Sequence, residues 1–262
     1  MIVTLMATVY NKYMSSKRVY LIGVPVDAVK PKDAVERIFE MLASPEKNHV
    51  MTPNNEMLVQ ASHNQSFHSV LCASSLNIPD STGLLFAAAL TGQRLPARVT
   101  GVDTVTELCK RLTSDYPVFF LGSAPGIAQK TAEKLKSMNS SLNIAGCYSG
   151  SPSAEEAHGI IDRINESGAV LLLVAYGSPA QDMWIAKYIS SLKNIRVAIG
   201  VGGTFDFISG KTRRAPKIIR MTGLEWLWRL ILQPLRFGRI WNATVVFSFL
   251  VVRYGKRSPY EV

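Results

Sequence analysis

Asp80 is the side chain in this 262-residue sequence best suited to remove a proton from a substrate. It stands in Ile78-Pro-Asp-Ser-Thr-Gly, just past a short apolar run. A carboxylate in that position can act as a general base toward an incoming hydroxyl. The same position also suits a helix N-cap, a role Asp fills readily. Thr52, Asn54 and Asn55 share the segment Thr52-Pro-Asn-Asn-Glu, where they can orient sugar hydroxyls or serve as turn and cap residues. Gln181 follows Gly177-Ser-Pro-Ala at a helix start, to meet a ligand or to face water. Arg98 lies in Leu95-Pro-Ala-Arg-Val-Thr-Gly, as a phosphate clamp or a solvated surface group.

Other chemistries find little support. No GxSxG, HExxH, GxGxxG or GxxxxGK[ST] pattern occurs, which removes the usual hydrolase, dinucleotide and P-loop signatures. His49, His63, His68 and His158 lack ligand spacing, and there is no Asp-x-Asp pair, so neither a metal site nor a cofactor is expected. Cys72, Cys109 and Cys147 are too far apart for a CxxC pair and read as reduced thiols.

The elements that must position these residues follow from hydrophobic periodicity. Strands are expected at 18–24, 49–52, 76–79, 118–121, 143–147, 170–175 and 196–201. Helices are expected at 32–43, 56–62, 83–90, 127–138, 154–166 and 180–191. This alternation predicts an α/β, Rossmann-like parallel sheet flanked by helices. Ligands in such sheets gather beyond the carboxyl ends of the strands. Five loops therefore stand out, beginning at Thr52, Pro79, Gly122, Tyr176 and Gly200, each with small or polar residues before a helix or turn. Backbone amides at helix starts can hold phosphate.

Charge divides the chain unevenly. Residues 211–262 hold 11 Lys/Arg and 2 Asp/Glu, a net +9 of the total +10. The same segment is rich in Trp, Phe, Leu and Val, and two helices are expected in it, at 223–233 and 235–254. Basic and large apolar side chains together suit an anionic membrane surface. No run reaches the ~20 apolar residues of a spanning helix. The expected organisation is a leader at 1–17, a catalytic body at 18–210, and a basic amphipathic helical appendage at 211–262. Met14 is a second candidate start, and the leader lacks the features of a signal peptide. No nucleic-acid-binding motif accompanies the basic tail, so no nucleic-acid partner is expected. A homo-oligomer that hides the apolar tail in solution is one way to keep it soluble.

Taken together, these loops resemble the WecG/TagA/CpsF family of bacterial glycosyltransferases (glycosyltransferase family 26). The resemblance runs from about Arg18 to Tyr254. Its most specific parts are the segments at Thr52, Ile78, Leu95 and Gly177, with Gly202-Gly-Thr-Phe-Asp-Phe-Ile-Ser-Gly-Lys, Arg213-Arg-Ala-Pro and Gly223-Leu-Glu-Trp-Leu-Trp-Arg-Leu. The resemblance implies transfer of a hexose, such as N-acetylmannosamine, from a UDP-sugar donor to a polyprenyl-diphosphate-linked sugar acceptor. The reaction it implies is inverting and metal-independent, runs at the cytoplasmic face of the cell membrane, and builds cell-envelope polysaccharide or teichoic acid. It places Asp80 on the proposed base and Thr52 on a substrate-contacting threonine. Asn54 and Gln181 fall on sugar-contacting positions, and Arg98 on a functional arginine. Arg229, Arg236 and Arg239 fall on tail arginines that cap the site and meet the diphosphate. Pro53 and Ala180 depart from the residues common at their positions and bear on donor preference. The rival reading is a non-catalytic membrane-surface nucleotide-binding or scaffold protein on the same fold.

Overall fold

The computed structural model describes residues 17–216, 219, 225–232 and 237–261. Its centre is a six-stranded sheet in the order β4-β3-β8-β7-β5-β6, in which every pairing is parallel. The strands are β3 (Asn48–Met51), β4 (Leu76–Asn77), β5 (Val118–Gly122), β6 (Ile144–Tyr148), β7 (Leu171–Ala175) and β8 (Val197–Gly200). Register is set by pairs such as Val50 with Ile199, Leu173 with Ile199, and Phe120 with Leu173. β5, β7 and β8 are buried along their whole length, as central parallel strands covered on both faces must be.

Helices cover the two faces. Leu171 and Leu173 point into one apolar cluster with α1 (Pro31–Ala43), α5 (Gly101–Arg111), α6 (Ile127–Met138) and α9 (Thr204–Ser209). Leu172 and Val174 point the other way, toward α7 (Ala154–Glu166) and α8 (Ala180–Tyr188). α1 forms because Pro31 opens it and Val35, Ile38 and Leu42 recur on one buried face. Thr100 caps α5 by accepting a hydrogen bond from the Asp103 amide.

A third cluster joins an N-terminal hairpin to α2 (Asn55–His63), α3 (Gln65–Ala73), α4 (Thr82–Leu90) and α12 (Phe247–Tyr254). The hairpin corrects the expected single strand at 18–24. β1 (Arg18–Leu21) and β2 (Val24–Asp27) pair antiparallel, and the chain reverses at Ile22 and Gly23, both with positive φ. Ile22 itself is buried, so its apolar side chain hid the turn from a reading by hydrophobicity. Asp27 then fixes the hairpin to the sheet edge. Its buried carboxylate accepts from Arg18, Arg37 and the Asn77 amide, while the Asn77 side chain donates to the Pro25 carbonyl. Removing one partner from such a buried ionic cluster costs about 3–5 kcal/mol.

Helices α3, α5 and α9 were absent from the periodicity reading. The tail agrees with the expected pair of helices over its described residues, 225–232 and an unbroken helical run at 237–254, the second carrying a π-helical turn that periodicity does not announce. Among its described residues it contains α10 (Glu225–Leu232), α11 (Phe237–Trp241), a π-helical turn over Asn242–Val246, and α12. Phe247, Leu250 and Val251 of α12 are buried against the body. Residues 1–16 of the expected leader at 1–17 lie outside the described residues.

Candidate active site

The carboxyl ends of β3, β4, β5, β7 and β8 open onto one cleft of about 410 Å³, and all five loops singled out by sequence contribute to it. Such a volume suits a small-molecule substrate.

Asp80 stands on the β4 loop. Its amide donates to the Pro53 carbonyl at 2.9 Å, which stitches this loop to the one after β3. Its Oδ2 accepts the Gly101 N–H at 3.1 Å, at the positive end of α5. Asp80 therefore does not cap the helix that follows it; Ser81 does, accepting from the Leu84 amide. A Cβ placed on Gly101 would lie 3.4 Å from Thr52 Cγ2, 3.6 Å from Asp80 Oδ2 and 3.6 Å from Thr204 Oγ1, so these three side chains converge on one point. Arg98 Nη2 is 3.9 Å from Asp80 Oδ1.

Thr52 is buried and donates to the Gly200 carbonyl at 3.3 Å, tying β3 to β8 beneath the cleft. Asn54 caps α2 by accepting the Met57 N–H at 3.1 Å, and it also lines the cleft. Gln181 does not face water. It is buried, and its Oε1 accepts the amides of Gly177 at 3.1 Å and Gly202 at 2.9 Å. One amide oxygen thereby holds the loops after β7 and β8 in fixed relation. Gly200 leaves room for this arrangement, since a Cβ there would meet the side chains of Gln181 and Asp182.

Arg239 reaches the cleft from the tail and binds Glu56 through two hydrogen bonds, Nε to Oε1 at 2.7 Å and Nη2 to Oε2 at 3.0 Å. Arg236 and the side chain of Arg229 lie outside the described residues.

Several cleft residues were missed by the sequence reading. Lys211 and Arg213 add positive charge beside Arg239, and the basic run opening at Lys211 was the available signal. Asp206 accepts from Ser123 at 3.1 Å and pairs with Lys211 at 3.5 Å. Asn55, which the sequence already offered as a sugar-orienting or cap residue, accepts from Ser81 Oγ at 2.6 Å and donates to the Ala243 carbonyl at 2.7 Å, inside the π-helical turn of the tail. Helices α6 and α8 both start without a side-chain cap; instead the Ile127 amide donates to the Ala124 carbonyl, and the Gln181 and Asp182 amides donate to the Gly177 and Pro179 carbonyls.

The thiols supply no nucleophile. Burial pushes Cys109 up to about 12 and Cys147 up to about 11, so neither forms appreciable thiolate near neutral pH. Among the described residues no group of three or more His, Cys, Asp or Glu side chains is placed to hold a metal ion.

A Rossmann-like body with a carboxylate at a strand end, polar loops and several cations around one cleft belongs to the class of group-transfer enzymes that take an anionic substrate. The model of the glycosyl transferase WecG/TagA/CpsF family matches residues 19–260, and the chain belongs to that family; it is a glycosyltransferase. It is 32% identical over 192 residues to an N-acetylglucosaminyldiphosphoundecaprenol N-acetyl-beta-D-mannosaminyltransferase of Bacillus spizizenii, covering 73% of this chain and 74% of that protein.

Proposed function

We propose that this enzyme transfers N-acetylmannosamine or a closely related hexose from its UDP-sugar to a polyprenyl-diphosphate-linked sugar, in the assembly of a cell-envelope polymer. The relative's name supports both sugar and acceptor. The observation that carries the chemistry is the convergence of Asp80, Thr52 and Thr204 at the start of α5.

In this reading Asp80 takes the proton of the acceptor hydroxyl. The oxygen attacks the anomeric carbon as the bond from that carbon to the UDP oxygen breaks, and UDP leaves with the bonding electrons. A single displacement inverts the anomeric centre. Thr52 and Asn54 meet the reacting sugars, while Gln181 keeps the facing loops in place. Lys211, Arg213 and Arg239 offset charge growing on the departing diphosphate. Arg98 steadies the Asp80 carboxylate. Arg229 and Arg236 belong to the same cationic tail and join it at the diphosphate.

The tail would rest on the anionic cytoplasmic face of the cell membrane. No helix among the described residues is long and apolar enough to cross a bilayer. The test is turnover of a panel of UDP-sugars with a prenyl-diphosphate-linked N-acetylglucosamine acceptor, with and without chelator. Transfer with inversion, unchanged by chelator, is expected. No transfer with any donor, or strict dependence on added manganese or magnesium, would overturn the reading.

A further inference from the structure

We propose that helix α4, in the body of the enzyme, enters the membrane together with α12 of the tail, so that one two-helix face sets the enzyme on an anionic bilayer. The idea deepens the membrane-surface reading above. That reading assigned lipid contact to the tail alone.

The two helices are linked at both ends. At the start of α4, its cap Ser81 bonds Asn55, which bonds the Ala243 carbonyl just before α12. At its end, the Thr91 side chain meets the position a Cβ would take on Gly255, just after α12. Both helices bury one face in the same cluster, Leu84, Ala87 and Ala88 from α4 and Phe247, Leu250 and Val251 from α12. With 100° per residue, the opposite faces must look outward.

Those outward faces are strongly apolar. Phe86 is 68% exposed and Leu90 79% on α4, while Phe249 is 61% and Val252 83% on α12. Trp241 and Val245 extend the same stripe toward Arg239 at the cleft. Apolar side chains exposed together on adjoining helices mark a surface with a partner.

Charge identifies that partner as anionic lipid. Residues 81–102 and 237–260, which carry this face, contain no Asp or Glu. Exposed Arg94 follows α4, and exposed Arg253, Lys256 and Arg257 lie at the end of α12. Large apolar groups ringed by cations suit the boundary between acyl chains and anionic headgroups. The arrangement also serves the reaction. α4 begins two residues after Asp80, so seating α4 in the bilayer brings the proposed base to the depth where a lipid-linked hydroxyl is presented.

The test is vesicle flotation of the full chain and of Phe86→Ser/Leu90→Ser, both changed at exposed positions. The vesicles contain phosphatidylglycerol with phosphatidylethanolamine, or phosphatidylcholine alone. The wild type should bind the anionic vesicles and not the neutral ones. The double variant should bind at least about tenfold more weakly while keeping its thermal melting point and its turnover of a water-soluble short-prenyl acceptor. Equal binding of variant and wild type would overturn the role of α4 and leave the tail as sole anchor. Absence of wild-type binding would sink the membrane reading as well. A wild-type dimer in sedimentation that the variant dissolves, with vesicle binding unchanged, would assign the face to a second copy and also overturn the proposal. Flotation does not depend on turnover, so failure of the transfer reaction would count against the reaction and not against this face.

Discussion

Arg239 and Glu56 hold each other through two parallel hydrogen bonds across 183 residues of chain, and both line the cleft. The tail is thereby closed onto the body by a guanidinium fork that fits a diphosphate as well as a carboxylate. Arg239→Ala is expected to lower kcat/KM on the order of a hundredfold. Arg239→Lys should recover little of it, because an ammonium cannot make the two-pronged contact. Glu56→Gln, which weakens the competing carboxylate, should lower the donor KM. Steady-state kinetics with each variant decides the matter, and an Arg239→Ala enzyme within twofold of wild type would reduce Arg239 to a tail fastener.

Asp80→Asn should lose about 10²–10⁴ in kcat, the range of a positioned general base. Asn can still accept the Gly101 N–H, so the loop and the melting temperature should be retained. Rapid-mixing and melting measurements on the same preparation separate the two effects. Near-wild-type turnover would remove Asp80 as the base.

Asn55 bridges Ser81 and the Ala243 carbonyl, one residue from Asp80 on one side and in the tail on the other. Asn55→Asp keeps the acceptor for Ser81 and loses the donor to Ala243. A shift of the neighbouring loop by about 1 Å can cost up to about a hundredfold in rate. The expected result is a ten- to hundredfold lower kcat, roughly on that scale, with donor KM unchanged. Amide exchange should rise both at 79–84 and at 242–247. A rise confined to 242–247 would show that Asn55 serves the tail only.

His68 has its pKa lowered from 6.5, first by burial, with the Ile22 backbone and Glu261 opposing. The unfolded chain therefore takes up a proton at higher pH than the folded one does. Stability should fall as pH drops below about 6.5 and continue to fall to the lowered native value. Denaturant unfolding at pH 7.5 and 5.5 should show this loss, and His68→Gln should make the difference smaller. An identical difference in the variant would mean that other groups set the pH dependence.

The local order of this chain fixed much of the outcome. Alternating apolar and helical periods were enough for an α/β body, because a strand buried on both faces leaves an unbroken apolar run, as at Leu171–Ala175. The five strand-end loops were legible because small and polar residues must stand where a strand gives way to a helix. The separation of charge between body and tail was plain from composition. α5 was legible in principle, since its buried Gly101, Thr104, Val105, Leu108 and Cys109 recur at helical spacing, but it was overlooked; the turn at Ile22 and Gly23 was hidden by its own burial.

What the linear order could not decide is which side chains meet. Thr52, Asp80 and Thr204 converge because β4, β3 and β8 are neighbours in the sheet, an adjacency that follows from long-range strand pairing. Gln181 is open to a ligand or to water in the linear order; that its one oxygen joins the loops after β7 and β8 follows only from the fold. The outward face of α4 acquires meaning only once α12, about 160 residues later, is tied to it at both ends. Periodicity acts within a helix or strand; the site and its setting depend on contacts between elements that only the folded chain brings together.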